Sequence, residues 1–176
     1  MLKLGYRLED VRHIVLTHLH LDHAGGLPDF PHAHVHLYRP EYDAWMRPKR
    51  LLEFMGYNFS CFAHGPKWKL HELKGERWYD FDALCLPEFQ PEIWMVPLVG
   101  HTRGHCGIAI QCDSGWLLHC GDAVVASIET ILRSPRWLTD WAIGPHFEYL
   151  LKLHESYPDI RTTGGHMPLA FFERER

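Results

Sequence analysis

One short string constrains this chain more than any other: Thr17-His18-Leu19-His20-Leu21-Asp22-His23, an H-x-H-x-D-H pattern that follows the apolar run His13-Ile14-Val15-Leu16. In an extended segment, side chains two apart point the same way. His18 and His20 can therefore face one metal ion together. Once the chain turns, Asp22 and His23 can address a second ion a few ångströms away, and Ala24-Gly25-Gly26 lets the backbone turn without obstruction. Neither ion is enclosed by this string alone, so the fold must bring further donors from a distance. The candidates are His101 in Gly-His-Thr-Arg-Gly-His, Asp122 in His-Cys-Gly-Asp and His166 in Thr-Gly-Gly-His. His101 can complete the first trio, His166 can complete the second set, and Asp122 has two oxygens with which to bridge both ions. Five imidazoles and two carboxylates suit a pair of first-row metal ions, and such a pair activates water. Imidazole-rich ligation with carboxylates and no thiolate points first to zinc, with iron or manganese compatible with the same donors.

The donors fall in a regular pattern. Short apolar runs alternate with turns and helices, which predicts an α/β fold. Residues 8–12 read as one helical turn feeding a strand over 13–17. Residues 35–38 read as a strand, and Pro40 suits the first turn of a helix continuing through Met46. A second helix is expected over 50–58. Later strands are expected over 93–99, 107–111 and 116–119, separated by Gly, Asp and Ser turn residues. Pro145 opens a helix to about Tyr157, on which Phe147, Leu150, Leu151 and His154 recur at helical spacing. Residues 160–163 form a short strand running into His166. Each donor cluster thus lies at a strand end, beside a Gly-containing turn, where side chains converge on one sheet edge.

Composition narrows the classes. The 176 residues fit a single domain with a core, and 46% hydrophobic residues is ordinary for a globular protein. The net charge of −4, with no Lys/Arg block, gives no nucleic-acid footprint. No apolar run reaches bilayer length and no signal peptide is evident, so the expectation is a cytoplasmic chain acting on a small molecule, with neither nucleic acid nor membrane as partner. The five cysteines (61, 85, 106, 112 and 120) include no C-x-x-C pair, which argues against a disulfide framework and fits a reducing compartment.

The four motifs in order resemble those of the metallo-β-lactamase superfamily: His18/His20/Asp22/His23, Gly100-His101-Thr102-x-Gly104-His105, Gly121-Asp122 and Gly165-His166, spread over residues 8 to 167. The resemblance implies a four-layer αβ/βα sandwich. It implies His18, His20 and His101 on one metal, Asp22, His23 and His166 on the other, and Asp122 bridging. It also implies a hydrolase in which a metal-activated hydroxide attacks an ester, thioester, lactone or amide carbonyl, with Asp22 both ligating and accepting the proton of the nucleophile. Members of this family carry several strands ahead of the H-x-H-x-D-H strand, whereas about a dozen residues precede it here. The expectation is therefore one domain over 1–176 that is incomplete at its N-terminus, or whose exposed sheet a second copy covers.

Within the family, His rather than Glu at position 20 speaks against the flavodiiron oxidoreductases, and the chain has no room for the second domain or arm of the RNA-processing branch. What remains looks like the hydroxyacylglutathione hydrolase and lactonase side. Homoserine-lactone hydrolases place a Tyr soon after the bridging Asp, and Ala123-Val124-Val125 stands there instead. The alternatives are a mononuclear iron dioxygenase acting on a persulfide and a non-catalytic remnant. The pocket wall is expected from residues 41–64, with Tyr42, Trp45, Phe54, Tyr57 and Phe59, and from residues 124–144, with Ile128, Leu132, Trp137 and Trp141. His32-x-His34-x-His36 reads as a solvated or packed strand face, His105 as a supporting residue, and Cys120 and Cys106 as small buried residues.

Overall fold

The computed structural model describes residues 3, 5–49, 56–124, 135 and 147–166. The chain divides into two compact units, residues 1–72 and 73–176. The expected helix over 50–58 falls largely outside the described residues, as do Phe54, Ile128, Leu132, Trp137 and Trp141 of the expected pocket wall.

The N-terminal unit is built on three parallel strands in the order β1-β2-β3: β1 (His13–Val15), β2 (His34–Tyr38) and β3 (Lys67–His71). A short turn of 3-10 helix at Leu8–Asp10 precedes β1, close to the turn expected over 8–12. Parallel neighbours need a crossover, and the first of these carries α1 (Leu21–Ala24) while the second begins with α2 (Arg39–Met46). Helix α2 starts directly after β2, with Pro40 in its first turn, where a missing N–H costs nothing. One face of the sheet is apolar. Val35 and Leu37 are buried and pack with Leu16, Leu19, Ala44 and Phe62, flanked by Ile14, Trp68 and Leu70. Alternation then places His34, His36 and Tyr38 on the opposite face. There His13 Nδ1 meets His36 Nε2 at 2.9 Å, and His36 Nδ1 meets His71 Nε2 at 3.0 Å, a row of hydrogen-bonded imidazoles across all three strands. The expected polar strand face is thus divided: His34 is exposed, His36 is fully buried, and His32 leaves the strand to meet the Val11 carbonyl at 3.1 Å.

The C-terminal unit contains a five-stranded sheet in the order β10-β9-β8-β7-β6. Strands β6 (Leu84–Leu86), β7 (Ile93–Pro97), β8 (Cys106–Cys112) and β9 (Gly115–His119) form an antiparallel meander, and β10 (Arg161–Thr163) joins β9 in parallel. A two-stranded hairpin, β4 (Arg77–Trp78) and β5 (Phe81–Asp82), precedes the meander. The described part of the C-terminal helix is α3 (Phe147–Ser156), whose Leu150 and Leu153 enter a core with Val96, Leu98, Ala109, Leu118 and Ile160. The strand expected over 93–99 ends at Pro97. Leu98 still bonds through its N–H to the His105 carbonyl, so the pairing trails off rather than stopping abruptly. No helix among the described residues is long and apolar enough to cross a membrane.

Candidate metal centre

In the N-terminal unit, the H-x-H-x-D-H string bends as its composition requires. Leu19 is fully buried in the core, which sends the flanking His18 and His20 the other way. His20 is still extended (φ −64°, ψ 154°) and is the residue from which α1 begins, so Asp22 and His23 lie in a helical turn. The rings gather closely. His18 lies 4.6 Å from His20 and 4.1 Å from His23 between centroids, and Asp22 Oδ2 stands 3.5 Å from His23 Nε2. His18 is fully buried, with its Nδ1 3.0 Å from Thr17 Oγ1. Asp22 is the exposed member of the group, its side chain 58% accessible.

Two supports of this string escape sequence reading. The Leu19 N–H donates to Glu41 Oε1 at 3.0 Å, and the Tyr57 hydroxyl donates to the same oxygen at 3.1 Å. Tyr57 also forms a β-bridge with His20, their rings 5.5 Å apart. Tyr57 is only 4% exposed, which corrects its expected place in a pocket wall: its ring is core and its hydroxyl is engaged. Tyr42, Trp45 and Phe59 instead belong to an aromatic cluster with Phe62 and Trp68. Gly56 presses against the His20 ring. A Cβ there would stand 2.4 Å from Nε2 and 2.5 Å from Cδ2, closer than any real contact. Gly56→Ala is therefore expected to displace the His20 imidazole and weaken metal uptake about tenfold or more while the chain stays folded. Isothermal titration with zinc, beside circular dichroism of the metal-free protein, checks this.

In the C-terminal unit, β9 ends at His119 and the chain turns through Gly121–Ala123. Gly121 has φ +51°, the left-handed region that glycine enters without strain, and this turn aims Asp122 inward. His105 holds Asp122 in place. Its Nε2 accepts the Asp122 N–H at 3.0 Å, so its own proton sits on Nδ1 and is given to the Leu98 carbonyl at 3.1 Å. The Asp122 side chain is 6% accessible. Its Oδ2 stands 3.3 Å from His101 Nε2 and 3.4 Å from His166 Nε2. His166 arrives because β10 pairs in parallel with β9: the Cys120 N–H bonds the Thr163 carbonyl at 2.6 Å, and the Gly165 N–H bonds the Gly121 carbonyl at 2.8 Å. Cys120 is fully buried, which pushes its thiol pKa up to about 12, and its Sγ faces the Leu118 carbonyl at 3.8 Å.

These spacings test the fit of a metal. A charge-assisted N–H···O bond closes to about 2.7–2.9 Å. Nitrogen and oxygen donors at zinc bond lengths around a tetrahedral ion stand about 3.3 Å apart. The Asp122 oxygen keeps the second distance from two imidazoles at once, and the donor set is one that zinc takes.

The family model of the metallo-beta-lactamase superfamily matches residues 1–158. The chain belongs to this superfamily. A Mycobacterium tuberculosis protein named "Probable metallo-hydrolase" is 45% identical over 122 residues, covering 69% of this chain and 39% of that protein. Among solved structures, an N-acyl homoserine lactone hydrolase with its product at the catalytic metal centre aligns with a TM-score of 0.70 at 22% identity, over 99% of this chain and 62% of that one. A dizinc quorum-quenching lactonase, AidC, aligns with a TM-score of 0.67 at 22% identity, over 96% and 61%. These likenesses establish the α/β fold of the metallo-β-lactamase type. The chain spans about 39% of the length of this mycobacterial relative.

Proposed function

We propose that His18, His20, Asp22, His23, His101, Asp122 and His166 serve one dinuclear zinc centre, and that the chain hydrolyses an ester, thioester or lactone bond of a small molecule. The observation that carries this reading is the Asp122 oxygen at metal-sharing distance from both His101 and His166. His18, His20 and His101 would hold the first ion, Asp22, His23 and His166 would hold the second, and Asp122 would serve both. When bound, such ions supply a nucleophilic hydroxide at neutral pH and a Lewis acid for a carbonyl oxygen. Asp22, the solvent-facing carboxylate of the set, would be the group placed to accept the nucleophile's proton. His105 holds the Asp122 backbone, so its carboxylate would need little reorganisation to serve a metal ion. One solved neighbour is an N-acyl homoserine lactone hydrolase with N-hexanoyl-L-homoserine bound as product, and AidC is a quorum-quenching lactonase, which puts lactones first in a substrate panel.

Metal analysis of the purified chain, followed by assays on an ester, a thioester and a lactone, tests the proposal. The expected result is near two equivalents of zinc and turnover of at least one of the three. One equivalent of iron with oxygen uptake on a persulfide would replace hydrolysis with the dioxygenase reading. Metal-free protein inert on every substrate would leave only the remnant.

A further inference from the structure

The N-terminal donors depend on a carboxylate that none of the four motifs contains. Glu41 is fully buried in the third position of α2. A carboxylate is costly to bury unless hydrogen bonds compensate it. Its Oε1 accepts from the Leu19 N–H at 3.0 Å and from the Tyr57 hydroxyl at 3.1 Å. Leu19 is the residue between His18 and His20, and Tyr57 is the β-bridge partner of His20, with its ring against that imidazole. One oxygen therefore ties together the two chain segments that fix His20, and it pins the peptide that joins His20 to His18. Its place near the start of a helix favours the negative charge.

We infer that Glu41 is a positioning residue for the metal-binding string: it holds the His18-Leu19-His20 backbone so that both imidazoles meet the ion without rearrangement. This rests on the metal-centre reading above. It also makes Tyr57 a working part of the same clamp.

The test uses the full chain, stripped of metal and titrated with zinc, and separately with cobalt, whose visible absorption reports the coordination geometry. Glu41→Ala is expected to weaken metal affinity about 10- to 100-fold and to alter the cobalt spectrum. Tyr57→Phe keeps the ring and removes one donor, so it is expected to weaken affinity about 2- to 10-fold. Glu41→Gln retains an acceptor oxygen and is expected to restore binding close to wild type. Melting of metal-free Tyr57→Phe and Glu41→Gln should remain near that of wild type, which separates positioning from general stability. If Glu41→Ala does not fold, Tyr57→Phe still decides. Variants that bind zinc as tightly as wild type, with an unchanged cobalt spectrum, overturn the inference alone. Glu41→Gln as weak as Glu41→Ala also overturns it, since the hydrogen-bond acceptor would then not be what matters. A wild-type chain that takes up neither zinc nor cobalt overturns the metal-centre reading itself, and this inference with it.

Discussion

Replacing Asp122 with alanine is expected to lower turnover by about a thousandfold or more and to reduce zinc content. Its Oδ2 stands 3.3 and 3.4 Å from two different imidazoles, so its loss removes a donor from both proposed ions at once. A Lewis acid contributes several kcal/mol to the barrier, and each 1.36 kcal/mol is a factor of about ten in rate, which sets the thousandfold scale. The fold should survive, because the hydrogen bond that anchors this position runs from the Asp122 backbone N–H to His105 and does not involve the deleted atoms. Metal analysis and steady-state kinetics on the same sample check the prediction. Full metal content with full turnover in the variant would show that the ligand assignment is wrong.

Dialysis against a strong chelator is expected to lower the melting midpoint substantially. Whatever binds the native but not the unfolded chain stabilises it in proportion to the logarithm of saturation, about 4 kcal/mol at a free metal concentration a thousand times the dissociation constant. For a chain of this length that corresponds to roughly 8–16 °C. Readdition of zinc should restore the midpoint, and magnesium, which favours oxygen donors, should not. Differential scanning calorimetry with and without each ion gives the answer. A midpoint that ignores the chelator would mean that the imidazoles gather for packing alone.

How much of this was readable in advance varies from element to element. The gathering of His18, His20, Asp22 and His23 in one unit and of His101, Asp122 and His166 in the other is legible because metal chemistry restricts residue types so tightly that His and Asp at these spacings have few other uses. Strands β7, β8 and β9 were legible because apolar runs bounded by Gly, Asp and Ser leave little choice. Strand β3 is not legible although Lys67-Trp68-Lys69-Leu70-His71 alternates, since a half-buried, lysine-rich strand shows only a weak apolar signal. The hairpin β4–β5 has two residues per strand, too few for any periodicity. For Glu41 the sequence indicates a helix and nothing more. Nothing local distinguishes a glutamate that points inward at a distant peptide N–H from one that faces water, because that contact joins residues 22 apart. The reading of His105 as a supporting residue agrees with its contacts, both ring nitrogens being spent on backbone groups.

The parallel pairing of β10 with β9 has a consequence for the order of assembly. About forty residues separate Asp122 from His166, and bringing together two points that far apart in an unfolded chain costs about 3 kcal/mol of chain entropy. In chain order His101 and Asp122 both precede the strand that delivers His166. The trio is assembled only when that late strand has docked. A metal ion held by all three of these side chains would therefore have to be taken up after β10 has paired with β9.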